Sequence, residues 1–133
     1  PPTLPSHRPS RPALCDDLGM RSRIQAVVLP SEPLEFKDEL RRVFRELDRH
    51  AGGDAALTGE CAPALDVYET DESMEVTVDL PGVDSSAVRV VAKGDTLLIA
   101  GLKTPRRTRA ESCFHLVERG YGRFARAIRI VTP

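Results

Sequence analysis

Hydrophobic and polar residues alternate most regularly between Asp66 and Val83. Met74, Val76, Val78 and Leu80 fall on one side of an extended strand, and Ser73, Glu75, Thr77 and Asp79 on the other. That is the period-two pattern of a half-buried antiparallel strand, and Pro81-Gly82 ends it. Just before, Leu65 and Val67 alternate with Asp66 and Tyr68, and the polar run Glu69-Thr70-Asp71-Glu72 predicts a hairpin connection. Downstream, Val88, Val90 and Ala92 face away from Arg89, Val91 and Lys93. Gly94-Asp95 is a turn signal and Thr96 to Leu102 is a second apolar strand, so the spacing predicts another hairpin. Cys113 to Glu118 reads as a strand, Gly120-Tyr121-Gly122 as a turn and Phe124 to Val131 as a final strand. Phe124, Arg126, Ile128 and Ile130 share one face of that strand. A guanidinium in such an apolar row is costly unless it is paired with a carboxylate or set at an interface. The acidic residues earlier in the chain favour a paired Arg126 at an interface.

The pattern is different before residue 63. Residues 1–12 hold five prolines among Arg, Ser and His, a composition that cannot bury apolar surface and predicts disorder. Gln25 to Leu29 is a short apolar segment, either a strand or an exposed patch, and Pro30 ends it. From Pro33 to His50 the period changes to that of a helix, with Phe36, Leu40, Val43, Phe44 and Leu47 at three- and four-residue spacing. Ser31 is the expected N-cap, with Pro33 in the first turn and Gly52-Gly53 as the stop. Acids lead in this helix and arginines follow, as the helix dipole favours. A lone helix ahead of a β-module has few places to dock, so it is expected to be an exposed amphipathic arm. The resulting division is a disordered Pro-rich segment (1–30), a helix with a small-residue linker (31–62) and a β-domain (63–133).

The chain has 133 residues, 41% of them hydrophobic, only 5% aromatic and no Trp, so its core must rest on Val, Leu, Ile and Ala. Formal charge is −1, which gives no global argument for a nucleic-acid or membrane partner. Charge is nonetheless segregated: residues 54–100 carry ten acids and two bases, whereas residues 101–133 carry eight bases and two acids. Neighbouring strands that compensate each other explain this, as does docking onto a second subunit. Cys15, Cys61 and Cys113 are odd in number and in no CxxC, so neither a disulfide framework nor a zinc site is expected, and a reducing, cytoplasmic setting fits. No P-loop, GxSxG, HExxH or Rossmann glycine pattern is present, and His7, His50 and His115 are isolated. No enzyme, cofactor or metal is expected. Arg106, Arg107, Arg109, Arg119, Arg123 and Arg126, interleaved with Phe114, Tyr121 and Phe124, keep an RNA-binding β-module as a weaker alternative. The acidic half of the same module argues against it.

Three motifs resemble those of the small heat-shock proteins of bacterial type, in their α-crystallin domain. They are Asp79-Leu80-Pro81-Gly82-Val83, then Leu97-Leu98-Ile99-Ala100-Gly101-Leu102-Lys103, then Glu118-Arg119-Gly120-Tyr121-Gly122-Arg123-Phe124-Ala125-Arg126. They occur in the family's order, over about half the chain and after an amphipathic helix and linker. The resemblance implies an all-β, immunoglobulin-like sandwich and an ATP-independent holdase that binds unfolded client proteins. It also implies a homodimer, assembling further into a larger homo-oligomer. The strand after the long loop would cross to the neighbour, making Cys113, Phe114, His115, Leu116, Val117, Glu118, Arg119 and Arg126 the dimer interface. Clients would meet Phe36, Leu40, Val43, Phe44 and Leu47, and Val88 and Val90 would line a groove for a C-terminal tail. A CS-type co-chaperone module, which shares the sandwich but docks a folded partner, is the main alternative. The family's last two strands and tail are not in this sequence, Met20 is a candidate start, and Arg129-Ile130-Val131 reads as a strand still in progress, so a truncated member or a fragment is expected.

Overall fold

The computed structural model describes residues 12, 14, 19, 24–30, 32–50, 61–105 and 108–132. Its elements are β1 (Gln25–Val28), α1 (Lys37–His50), β2 (Leu65–Glu69), β3 (Met74–Val78), β4 (Val88–Lys93), β5 (Thr96–Lys103) and β6 (Gly122–Val131). Four strands form an antiparallel sheet in the order β1-β6-β5-β4, and β2 and β3 form a separate hairpin. The two sheets pack face to face as an all-β sandwich, and α1 adds a third layer on the far side.

The alternation along each strand decides which layer it meets. Leu65 and Val67 of β2, Val76 and Val78 of β3, and Leu80 turn inward against Ile99, Phe124 and Ile128, the buried centre of the inter-sheet core. Their polar neighbours Asp66, Glu75 and Thr77 are exposed. Four residues close the hairpin: the Thr70 hydroxyl accepts from the Ser73 amide at 2.9 Å and the Thr70 amide donates to the Ser73 carbonyl at 2.8 Å. After β3, the Val83 amide donates to the Leu80 carbonyl at 3.2 Å around Pro81-Gly82. Gly82 has a φ of 75°, so this is a type II turn, with proline where φ must be near −60° and glycine where it must be positive. The motif is therefore a backbone requirement.

β5 is one of the two inner strands and differs from the others. Its sequence Thr-Leu-Leu-Ile-Ala-Gly-Leu-Lys is apolar on both faces, and nearly all of it is buried. Leu97 and Ile99 join the inter-sheet core, while Leu98, Ala100 and Leu102 join a second core with Ala127 of β6 and Phe36, Val43 and Leu47. A strand with two apolar faces needs a cover on each.

Here α1 departs from expectation. It is not an exposed arm but lies on the outer face of the four-stranded sheet, with Phe36 fully buried and Leu40 and Phe44 packed at the margin. The physical reason is the second apolar face of β5, which a lone helix can cover. The described helix residues share a core with β5 and β6. The first turn is 3-10, from Leu34 to Phe36, and the Phe36 amide donates to the Pro33 carbonyl at 2.9 Å. Pro33 holds the cap position with no side-chain hydrogen bond. The cap expected of Ser31 and the stop expected of Gly52-Gly53 lie outside the described residues, as does most of the Pro-rich segment.

Two further differences concern the ends of the sheet. Gln25–Val28, open between strand and patch, is a strand: β1 pairs antiparallel with β6, Gln25 opposite Val131 and Val28 opposite Ile128. The strand expected from Cys113 to Glu118 does not form within the chain. Residues 108–120 are an exposed loop, because among the described residues no neighbouring strand supplies hydrogen bonds for a ladder there. Glu111 turns this loop with a φ of 63°, in the left-handed region that favours glycine.

Candidate interaction surfaces

The exposed loop carries the residues expected at the dimer interface. Phe114, Leu116 and Val117 are 68%, 73% and 64% exposed, close together on one segment. Together with Pro105 and Tyr121 they line a cavity of about 640 Å³, and Arg109 and Arg119 add positive charge to its wall. The Arg119 guanidinium lies 5.3 Å from the centre of the Tyr121 ring, and the buried Lys103 ammonium lies 5.9 Å from it. Such cation–π contacts fix the orientation of Tyr121 at the root of the loop. Cys113 and His115 are exposed on the same segment, and Cys113 is a free thiol, as is the half-buried Cys61.

Arg126 lies apart from that segment, on β6. It shares the inner face with Phe124 and Ile128, as its place in the strand predicts, and is half-buried. Its partner is not the expected carboxylate: Arg126 Nη1 donates to the backbone carbonyl of Pro63. A carbonyl satisfies the donor geometrically, and among the described residues no carboxylate forms an ion pair with it.

On the opposite face, the helix is tied to the sheet by ions that the sequence pattern did not reveal. Lys93 Nζ donates to Glu39 Oε1 and to the Glu35 carbonyl, both at 2.9 Å. Arg89 Nη2 donates to Glu46 Oε1 at 2.7 Å, and Arg123 Nη2 to Asp48 Oδ2 at 2.6 Å. Lys93 also stands 5.9 Å from the Phe36 ring and Arg123 5.0 Å from the Phe44 ring. The hydrogen bond to Lys93 holds the Glu39 carboxyl below its ordinary value, helped by a backbone hydrogen bond; the same bond raises Lys93, reinforced by the charges of Glu39, Glu35 and Asp38. A readable signal was present in the sequence. The unbroken run Leu97 to Leu102 demands a cover on both faces, and α1 is the amphipathic element that precedes it.

Of the two groove residues, Val88 is half-buried in the inter-sheet core and Val90 is 61% exposed. Both sit on β4, the edge strand of the sheet. The described arginines considered for RNA do not form one surface: Arg109 and Arg119 share the cavity with Phe114 and Tyr121, whereas Arg123 faces α1 and Arg126 donates to the Pro63 carbonyl. Arg106 and Arg107 lie outside the described residues. Among the described residues no three His, Cys, Asp or Glu side chains stand together as a metal site, and no helix is long and apolar enough to cross a membrane.

Residues 66–132 match the model of the Hsp20/alpha crystallin family. The chain belongs to this family. As a small heat-shock protein it is similar to the 16.9 kDa class I heat shock protein 3 of Oryza sativa subsp. japonica, 34% identical over 97 residues, which are 72% of this chain and 64% of that protein. It is also similar to the small heat shock protein C2 of Rickettsia felis, 31% identical over 68 residues, 51% of this chain and 44% of that one. The chain thus spans less than two-thirds of either relative. Among solved structures it is similar to heat shock protein 16.0 from Schizosaccharomyces pombe, with 26% identity, a TM-score of 0.45, and coverage of 71% of this chain and 68% of that one. The three motifs that carry the resemblance lie within the matched residues 66–132.

Proposed function

We propose that this small heat-shock protein is an ATP-independent holdase that binds partly unfolded proteins and prevents their aggregation, in the cytoplasm and as a homodimer or larger homo-oligomer. The observation that carries the reading is the contiguous apolar surface of Phe114, Leu116 and Val117 on an unpaired loop. Monomeric soluble proteins rarely leave such a patch open, and its burial on a partner needs no nucleotide.

In this reading the segment Cys113 to Arg119 gains its ladder by pairing with a second copy, and Arg126 meets an acidic group of that copy. Clients bind the apolar residues of the helix, Phe36, Leu40, Val43, Phe44 and Leu47, which must first come off the sheet. Val88 and Val90 line the edge that accepts an extended tail.

The test is light scattering of a heat-labile client, with and without the protein and in the absence of nucleotide. Suppression of scattering at near-stoichiometric ratios is the expected result. Unchanged scattering at a large molar excess overturns the holdase.

A further inference from the structure

The two apolar faces of the four-stranded sheet are covered by different means. The inner face meets a hairpin, itself a hydrogen-bonded sheet. The outer face meets a single helix held through side chains, whose removal breaks no rung of the β4-β5-β6 ladder. That outer face is an apolar strip, centred on Leu98, Ala100 and Leu102, between two basic rims. Arg89 and Lys93 stand on β4 to one side, and Arg123 stands on β6 to the other. α1 fits it with an apolar stripe and an acid opposite each base. The pairing also sets direction: from Glu39 to Glu46 the helix advances while its partners run back from Lys93 to Arg89, so α1 lies antiparallel to β4.

We propose that this outer face is a binding site for amphipathic helical segments of unfolding proteins, apolar on one side and acidic along both flanks, and that α1 occupies it at rest as an internal competitor. The inference deepens the holdase reading and rests on it: it names the surface and the class of client segment. Three features support it. The charge complementarity is explicit on both rims. The sheet keeps its backbone pairing without the helix. The stretch from Ala51 to Glu60 that joins α1 to the domain is rich in Ala and Gly, without a long apolar run to resist release. A site that is open only part of the time binds with its intrinsic affinity reduced by that fraction. Loosening α1 therefore strengthens capture, and lifting it frees two complementary apolar surfaces at once.

The experiment uses the full chain and two labelled synthetic peptides with the apolar spacing of α1, one with Glu at the flank positions and one with Lys. Binding is followed by fluorescence anisotropy for the wild type and for the double variant Glu39→Lys/Glu46→Lys, which loosens α1 without touching the sheet. The variant should bind the acidic peptide roughly fivefold more tightly than the wild type, as expected for losing two partly exposed ion pairs. The acidic peptide should also bind better than the basic one, and Arg89→Glu/Arg123→Glu should reverse that preference. Equal affinities for the two peptides, or no gain in the loosened variant, overturn the proposal. Should a variant fail to fold, hydrogen exchange on the wild type decides: saturating acidic peptide should expose the amides of α1 and leave those of β5 protected, and unchanged α1 protection overturns the site. Light scattering keeps the two readings apart. Suppression that persists without peptide binding removes this site and leaves the holdase; peptide binding without suppression removes the holdase and leaves a helix-binding surface.

Discussion

At the scale of single residues, the tightest steric requirement is at Gly101. A Cβ there would lie 2.4 Å from the Ala87 carbonyl oxygen and 2.5 Å from Cζ of Phe124, its register partner on β6. The ring thus fills the space that the missing side chain leaves. Gly101→Ala should destabilise the fold by about 1–3 kcal/mol, the usual cost of overpacking a core, measured by thermal unfolding. Adding Phe124→Leu should recover only part of it, since the Ala87 contact remains. A second residue-scale effect concerns Lys93 and Glu39. The lowered Glu39 carboxyl contributes to docking of α1 above its ordinary 4.5, and that contribution is lost as pH falls through its depressed value. The raised Lys93 contributes below 10.5, and its share is lost as pH climbs through its elevated value. Protection of the α1 amides, relative to their intrinsic exchange at each pH, should therefore be greatest between these limits, with a modest effect because Lys93 is exposed and Glu39 only half-buried. Glu39→Gln should flatten the acid limb, and an unchanged profile in that variant would show that other carboxylates control it.

At the scale of elements, the apolar stripe of α1 outweighs its ion pairs. Burial of Phe36, Val43 and Leu47 contributes roughly 1.5–3 kcal/mol for each side chain, well beyond what exposed ion pairs supply, so the charges mainly select direction. Leu47→Ala should cost about 2–5 kcal/mol and detach α1 before the sheet melts, which exchange rates in α1 and β5 will separate. The β2–β3 and β4–β5 hairpins were legible because each half-buried strand writes its burial as a period of two and its turn as Gly, Pro or polar residues. Leu80-Pro81-Gly82 was legible for the same reason: the turn needs those two backbone geometries. The docking of α1 was misjudged because an amphipathic stripe records that a helix is covered, not by what. The segment Cys113 to Glu118 has a strand's pattern yet no ladder, since local alternation does not supply the hydrogen-bonding neighbour. Arg126 was placed correctly on its face, but its carbonyl partner comes from Pro63, remote in sequence and invisible to any local pattern.

At the scale of the whole molecule, the expected dimer offers a direct test. Arg126→Glu should lower the dimer fraction in sedimentation velocity, while far-ultraviolet circular dichroism stays that of the wild type; an unaltered dimer would remove Arg126 from the interface. Leu116→Ser/Val117→Ser should reduce suppression of client scattering at unchanged thermal stability, because both residues are already exposed and their loss leaves no cavity. The pairing of β1 with β6 has a different kind of consequence. Val28 and its partner Ile128 are 100 residues apart, so the edge of the main sheet is completed by one of the longest connections available in the chain. At synthesis rates of about 5–20 residues per second, Val28 waits on the order of 5–20 s for Ile128 to be made. During that interval the nascent chain presents the apolar residues of β1 without their partner strand, open to pairing with any other exposed edge it meets.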